Sequence, residues 1–300
     1  MTSPSQPPRY QRPVESTMHT LRTREIIPPS RLEAALQASG LSEGARALLR
    51  GLIRIGNTAT FRGGGIGLDY ASLLKSAVRP DILRPHVEET ARLLSDRHVD
   101  MLVIPGMSGY PVGTMYAMAA GIPALLLRKE AWREGRERTL PPGAFVLPSY
   151  TSAGVVLMTA DPAALVDITS PIFERQVESQ SDADRVRLSL RVAGADDIID
   201  KATMARAASD SARQLARFAM SAYERAWRTR TGDPRPIETS ISVVTWVAPL
   251  VKQYNRPDEQ LAGVLESSLF AGLHITGIYT APRAVGVDHI GVLAFEEPAG

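Results

Sequence analysis

Apolar positions between residues 100 and 131 fall into two short unbroken runs, 101–104 and 122–127, separated by a glycine-punctuated stretch and a segment able to wind as a helix. Unbroken runs of this length are the pattern of strands covered on both faces. DMLVIPGMSGYPVGTMYAMAAGIPALLLRKE therefore reads as strand, turn, helix (115–120) and second strand. Gly106, Gly109 and Gly113 supply permissive backbone in the turn. Backbone N–H groups at such a turn, reinforced by the dipole of the following helix, hold an anion. Arg128 and Lys129 then place two cations at the end of the second strand, where parallel sheets present ligands. The pattern points to a phosphorylated ligand.

Elsewhere the periodicity changes several times. Residues 1–29 mix proline, serine, threonine and scattered charge, a composition that buries little apolar surface, and read as a loose arm. Two short helical patterns follow at 31–40 and 42–56, with Ser30 and Ser42 as N-caps and Gly40 and Gly56 as stops. Gly63 to Gly65 with Gly67 mark a turn or hairpin, and 85–96 is an amphipathic helix with Val87, Ala91 and Leu94 on one face. Two β-like runs at 145–147 and 155–158 flank SYTSAG and predict a mobile hairpin. Val186, Leu188, Leu190 and Val192 alternate with Arg185, Arg187, Ser189 and Arg191, the period of a strand with one wet face. A long alanine-rich helix over 203–227 ends at TGDPRP. Beyond it come a strand at 241–247, a helix around 257–270 and two β runs near 275–279 and 289–295.

Composition narrows the classes. A 300-residue chain with 44% hydrophobic content has material for one large or two modest cores. The formal charge of +2 gives no field that argues for nucleic acid. With no cysteine, disulfides, thiolate metal sites and cysteine nucleophiles are all excluded. No apolar run approaches the roughly 20 residues that span a bilayer, and the first residues lack the apolar core of a signal peptide, so a cytoplasmic protein without membrane partners is expected. The five histidines are scattered without metal-ligand spacing and read as structural or exposed, and no serine stands in a hydrolase elbow.

The sharpest acidic cluster is AGADDIIDKATM, in which Asp196 and Asp197 precede two apolar residues and Asp200. One reading makes the three acids the solvated first turn of the helix beginning at Thr203, and an ordinary βα turn would account for Gly106 to Gly113. The other places them in a ligand site, because a carboxylate pair at a strand end can hydrogen-bond two ribose hydroxyls or hold Mg²⁺ through water. DDIIDKATM resembles the phosphoribosyl-diphosphate signature of type I phosphoribosyltransferases. GMSGYPVG is similar to that family's diphosphate loop, RKE at 128–130 to its basic strand end, and the three occur in the family's order. Two departures stand out: the signature is one residue short, and Ala202 replaces a glycine.

The resemblance implies an α/β fold with a central, mostly parallel sheet flanked by helices and a hood built from N- and C-terminal elements. It divides the chain into an arm (1–29), a core with N-terminal helices (30–230) and a C-terminal α/β extension packing on the core (231–300). It implies that Asp196 and Asp197 bind the ribose hydroxyls and Mg²⁺, that Asp200 accepts a proton beside the base, and that Lys201, Ala202 and Thr203 cradle the 5-phosphate. The diphosphate would meet Gly106, Ser108, Gly109 and Lys129. The partners expected are phosphoribosyl diphosphate, a purine- or pyrimidine-like base, and a second copy of the chain as a homodimer. A non-catalytic, ligand-binding regulator built on the same cradle is the alternative.

Overall fold

The computed structural model describes residues 32–38, 40–55, 57–60, 66–69, 79–131, 140–148, 155–266, 270–281, 284–289 and 291–296. The N-terminal arm, Gly63 to Gly65, most of the 68–75 segment and the tip of the 145–158 hairpin lie outside the described residues. The elements run α1 (Leu32–Ala38), α2 (Glu43–Ile55), β1 (Asn57–Thr60), β2 (Ile66–Asp69), α3 (Pro80–Asp96), β3 (Met101–Pro105), α4 (Gly106–Ala120), β4 (Ala124–Ala131), β5 (Phe145–Pro148) and β6 (Val155–Thr159). There follow α5 (Pro162–Glu178), β7 (Val186–Ala195), β8 (Ile198–Ile199), α6 (Thr203–Thr231), β9 (Ile237–Lys252), α7 (Pro257–Gln260), β10 (Phe270–Ala281), β11 (Ala284–His289) and β12 (Gly291–Glu296).

One mixed sheet organises the chain, in the order β12-β11-β10-β9-β7-β3-β4-β6-β5, with β8 paired to β9. Its centre, from β10 to β4, is parallel, and antiparallel pairs close both sides. β3 is buried at every position, as its unbroken apolar run requires. One face packs Leu102, Ile104, Ala193 and Val247 against α3 and α4; the other packs Met101, Val103, Leu188 and Trp246 against α5 and α6. The hairpin β1–β2 lies beside β10 and β11. The expected α/β fold with a mostly parallel centre is what forms. β9 begins beyond residue 230 yet sits inside this sheet, between β7 and β10.

Several expectations are corrected. The glycine-punctuated stretch 106–113 is helical rather than a loop: Gly106, at φ +72°, turns the chain directly from β3 into α4. β4 does not stop at Arg128 and Lys129 but continues to Ala131, because β6 supplies an antiparallel partner from Arg128↔Thr159 to Ala131↔Val156. The helix expected over 257–270 is the four-residue α7, and β10 starts at Phe270. α5 went unread because Pro171 interrupts its pattern, although Asp161 and Pro162 form an ordinary start in which Asp161 accepts from Ala163 N and Ala164 N.

The arginine-striped strand has a specific explanation. β3 pairs with β7 only from Met101↔Val192 to Val103↔Gly194, so the first half of β7 lacks a neighbour on that side. Side chains replace it. The Gln176 amide donates to Ser189 O and accepts from Ser189 N, both at 2.9 Å. One helical turn later Gln180 donates to Arg187 O at 2.9 Å and accepts from Arg187 N at 2.8 Å. Asp100 accepts from Arg191 N at 2.7 Å and donates its own N–H to Arg191 O at 2.8 Å. Residues 187, 189 and 191 share one edge of the strand, so Gln176 of α5, Gln180 just beyond it and Asp100 just before β3 mimic a missing strand. Arg185 and Arg187 pair with Glu238 on the neighbouring β9, which leaves their face wet as the alternation predicts.

His86 is buried beneath α4, with Nε2 2.7 Å from the hydroxyl of the fully buried Tyr116. Burial pushes its pKa from 6.5 down to about 4 and raises that of Tyr116 well above its ordinary value. The ring is therefore neutral in the folded protein and shares one hydrogen bond with the tyrosine hydroxyl.

Two predictions follow from these contacts. His86 binds a proton more readily unfolded than folded, so its contribution is complete above about pH 6.5 and is lost as pH falls toward 4; at about 1.4 kcal/mol per pH unit this amounts to about 3 kcal/mol. Urea unfolding across that range should show the decline, and His86→Gln should flatten it. Replacing Gln176 and Gln180 together by alanine should lower stability by about 1–2 kcal/mol and increase light scattering on concentration, because a strand edge is uncovered. Unchanged stability and scattering would mean that water serves the edge equally well.

Candidate functional site

The turn after β3 and the turn after β7 meet. A Cβ placed on Gly109 would lie 2.9 Å from Asp196 Oδ1, 3.2 Å from Asp196 Cα and 3.3 Å from Ile104 Cγ2. Only a residue without a side chain lets the first turn of α4 approach the acidic loop this closely. Asp196 Oδ1 accepts from Asp197 N at 2.9 Å, and Asp196 N donates to Val247 O at 3.1 Å, which ties the loop to β9. Asp196 is half-buried, whereas Asp197 is only 4% exposed.

Two helix starts flank this contact without side-chain caps. α4 begins after Pro105 and α6 after Ala202, and neither preceding side chain bonds the first turn. The first N–H groups of each helix, including those of Ser108 in α4 and Thr203 in α6, therefore have no intrahelical acceptor, whereas Gly109 N is the first donor within α4. Lys201 and Thr203 are exposed; Ala202 is buried and adopts φ 57°, ψ 12°, the left-handed conformation usually left to glycine. The three acids are not the solvated first turn of α6, because all of them precede it and Asp200 is engaged elsewhere. Asn255 Nδ2 donates to Asp200 Oδ1, and Lys252 Nζ lies 3.5 Å from Asp200 Oδ2.

Lys129 is exposed on β4 opposite Met158, whose methyl comes within 3.9 Å of the Cβ position of Gly106. Arg128 faces the other way, beside Tyr110; the tyrosine donates to Leu127 O at 2.6 Å, and its pKa is raised by burial against the pull of Arg128. A cleft of about 460 Å³ opens here, lined by Arg128, Glu130, Pro141, Leu157, Thr159 and Asp161 among others. It does not include Gly109, Asp196 or Asp200. The structure thus joins Gly109 to Asp196 directly, pairs Lys129 with a methionine whose methyl reaches Gly106, and sets Asp200 against two residues the sequence reading did not single out. Lys252 and Asn255 stand more than 50 positions from their partner, and the one available signal was a lysine closing a long valine-rich strand.

A divalent metal was tested against the same donors. Among the described residues no three histidine, aspartate or glutamate side chains are grouped to hold one, and Asp196 Oδ1 already accepts from the backbone. Among the described residues the donors here do not fit a metal cage built from protein side chains alone.

No family model matches the chain, and no curated protein matches it. Among solved structures, adenine phosphoribosyltransferase from Thermoanaerobacter pseudethanolicus aligns over 75% of this chain and 98% of its own, with 15% identity and a TM-score of 0.44. The enzyme of Giardia lamblia, complexed with 9-deazaadenine, aligns over 78% and 97% with 14% identity and a TM-score of 0.43. That of Saccharomyces cerevisiae aligns over 75% and 96% with 14% identity and a TM-score of 0.42.

The contact at Gly109 yields a direct expectation. Gly109→Ala should lower stability by about 1–3 kcal/mol, because the new methyl meets backbone as well as the Asp196 carboxylate. Chemical denaturation measures it, and a wild-type midpoint would show that the acidic loop moves aside freely.

Proposed function

We propose that the chain is a phosphoribosyltransferase, transferring the 5-phosphoribosyl group from phosphoribosyl diphosphate to a nitrogenous base. The single observation that carries this reading is the seating of Gly109 on Asp196. It brings the start of α4 against the carboxylate loop that leads into α6, so that two uncapped helix starts, each suited to an anion, adjoin one loop, and a substrate with phosphate groups at both ends of a ribose suits such a pair. In this reading the free N–H groups at the start of α4, through Ser108, take the diphosphate beside Gly106 and Gly109, and Lys129 supplies a cation. Lys201, Ala202 and Thr203 take the 5-phosphate. Asp196 meets a ribose hydroxyl, and Asp197, nearly buried, reaches one only at its rim.

The chemistry is displacement at C1 of the ribose. The bond from C1 to the diphosphate oxygen breaks, a ring nitrogen of the base forms the new bond, and the proton of that nitrogen passes to Asp200. Positive charge developing at C1 is stabilised by the fixed carboxylates, while the helix starts and Lys129 stabilise the departing diphosphate. Mg²⁺ would arrive on the diphosphate's own oxygens and water, as that ion usually does, and no step is assigned to it. One observation favours a non-catalytic ligand-binding role instead: Ala202 holds a strained conformation in the phosphate cradle, where its methyl stands beside the N–H groups.

Calorimetry with phosphoribosyl diphosphate, with and without Mg²⁺, followed by a diphosphate-release assay across purines and pyrimidines, decides between them. The expected result is Mg²⁺-dependent binding with release for one base, and a loss of about tenfold or more in kcat/KM in Asp196→Asn. Binding without release for any base would establish the regulatory role, and no binding would remove both.

A further inference from the structure

Asp200 is held from outside its own loop. Its partners, Lys252 and Asn255, come from the end of β9 and the turn that follows it. Register brings them there: Ile198 and Ile199 of β8 lie opposite Leu250 and Val251, so the next residue on each strand is Asp200 and Lys252. The contact is thus written into the short parallel ladder that precedes α6.

An aspartate at this point has a local alternative. Its short side chain reaches backbone N–H groups two or three residues on, and the positive end of a helix attracts it. Those groups here belong to Ala202 and Thr203, at the start of a helix without a side-chain cap. Asp161 shows the tendency in the same molecule, folding onto Ala163 N and Ala164 N at 2.9 and 3.3 Å. A carboxylate on the α6 terminus would occupy the place of a phosphate and oppose its charge.

We infer that Lys252 and Asn255 are positioning residues that hold Asp200 off the α6 terminus and so keep that terminus open to the phosphate of the substrate. This role rests on the phosphoribosyl reading of the site. It also gives the C-terminal third of the chain a part in the site, through the end of β9.

Short-time hydrogen exchange of the full chain over residues 200–206 and calorimetric binding of ribose 5-phosphate test it together. In the variant combining Lys252→Met with Asn255→Ala, Asp200 is released. Exchange at Ala202 and Thr203 should slow, and ribose 5-phosphate should bind more weakly, each by roughly three- to tenfold. Adding Asp200→Ala should reverse both effects, and Lys252→Arg alone should leave both at wild-type values. Loss of a cation by itself would weaken binding without slowing exchange and would not be reversed, which would overturn the inference. Unchanged or faster exchange in the released variant would overturn it too. If exchange responds as expected but the wild type binds no ribose 5-phosphate, the positioning stands and the phosphoribosyl reading falls. Binding with unresponsive exchange means the opposite.

Discussion

The seating of Trp246 on Gly194 sets the geometry on which the rest depends. The two residues are register partners on β9 and β7, and a Cβ on Gly194 would lie 2.1 Å from the indole. The ring therefore lies flat across the neighbouring strand, 1% exposed, with its Nε1 donating to Ser209 Oγ at 2.9 Å. That bond joins the sheet to α6, and Ser209 in turn donates to Ala205 O one turn earlier. Burial of an aromatic of this size is among the larger single contributions available to a core. Because Gly194 lies two residues before Asp196, and Ser209 in the second turn of α6, the same contact fixes both ends of the acidic loop.

From that anchor the site assembles by exclusion of side chains. Gly109 admits the α4 turn to the loop from one side, and Gly194 admits Trp246 from the other. Between them the loop has little freedom: Asp196 N is tied to Val247 O, and Ile198 and Ile199 are tied to Leu250 and Val251. β9 thus does the work of a template for the whole acidic segment. It is reached only after the 29-residue α6, and the stability of the loop depends on contacts distant in the chain.

The parts of this arrangement that were legible in the sequence are those with local causes. Unbroken apolar runs gave β3 and the parallel part of β4, alternation gave β7, and alanine-rich periodicity gave α6. Glycines marked the segment after β3 and clustered acids the one after β7, both local signals, although the first is the start of α4 and not the turn expected. What escaped was decided by partners. The extension of β4 past Lys129 exists because β6 pairs with it, and the glutamines at and just beyond the end of α5 are ordinary polar residues until β7 lies beside them. Lys252 and Asn255 carry no motif, and only the β8 to β9 register shows what they touch. The helix read into 257–270 stops after Gln260, and of that range only Phe270 joins the sheet, opposite Trp246 of β9.

Ala202 is where local and global requirements conflict. A left-handed conformation costs an L-residue about 1–2 kcal/mol, and burying one methyl returns about 0.8 kcal/mol. The methyl alone therefore does not hold φ at 57°; the surroundings impose it. Ile199 is pinned to Val251, and Arg206 N donates to Ala202 O at 2.8 Å to open the helix, so the chain must reverse within residues 200–202. A glycine would take this turn without strain but would leave a gap beside Ala205 and Ile199, which share its core. The alanine thus favours packing over a close approach to the loop N–H groups, and a phosphate oxygen seated there would have to share space with its methyl. In the proposed phosphoribosyl reading that compromise falls on the 5-phosphate end and leaves the Gly109 side of the acidic loop untouched.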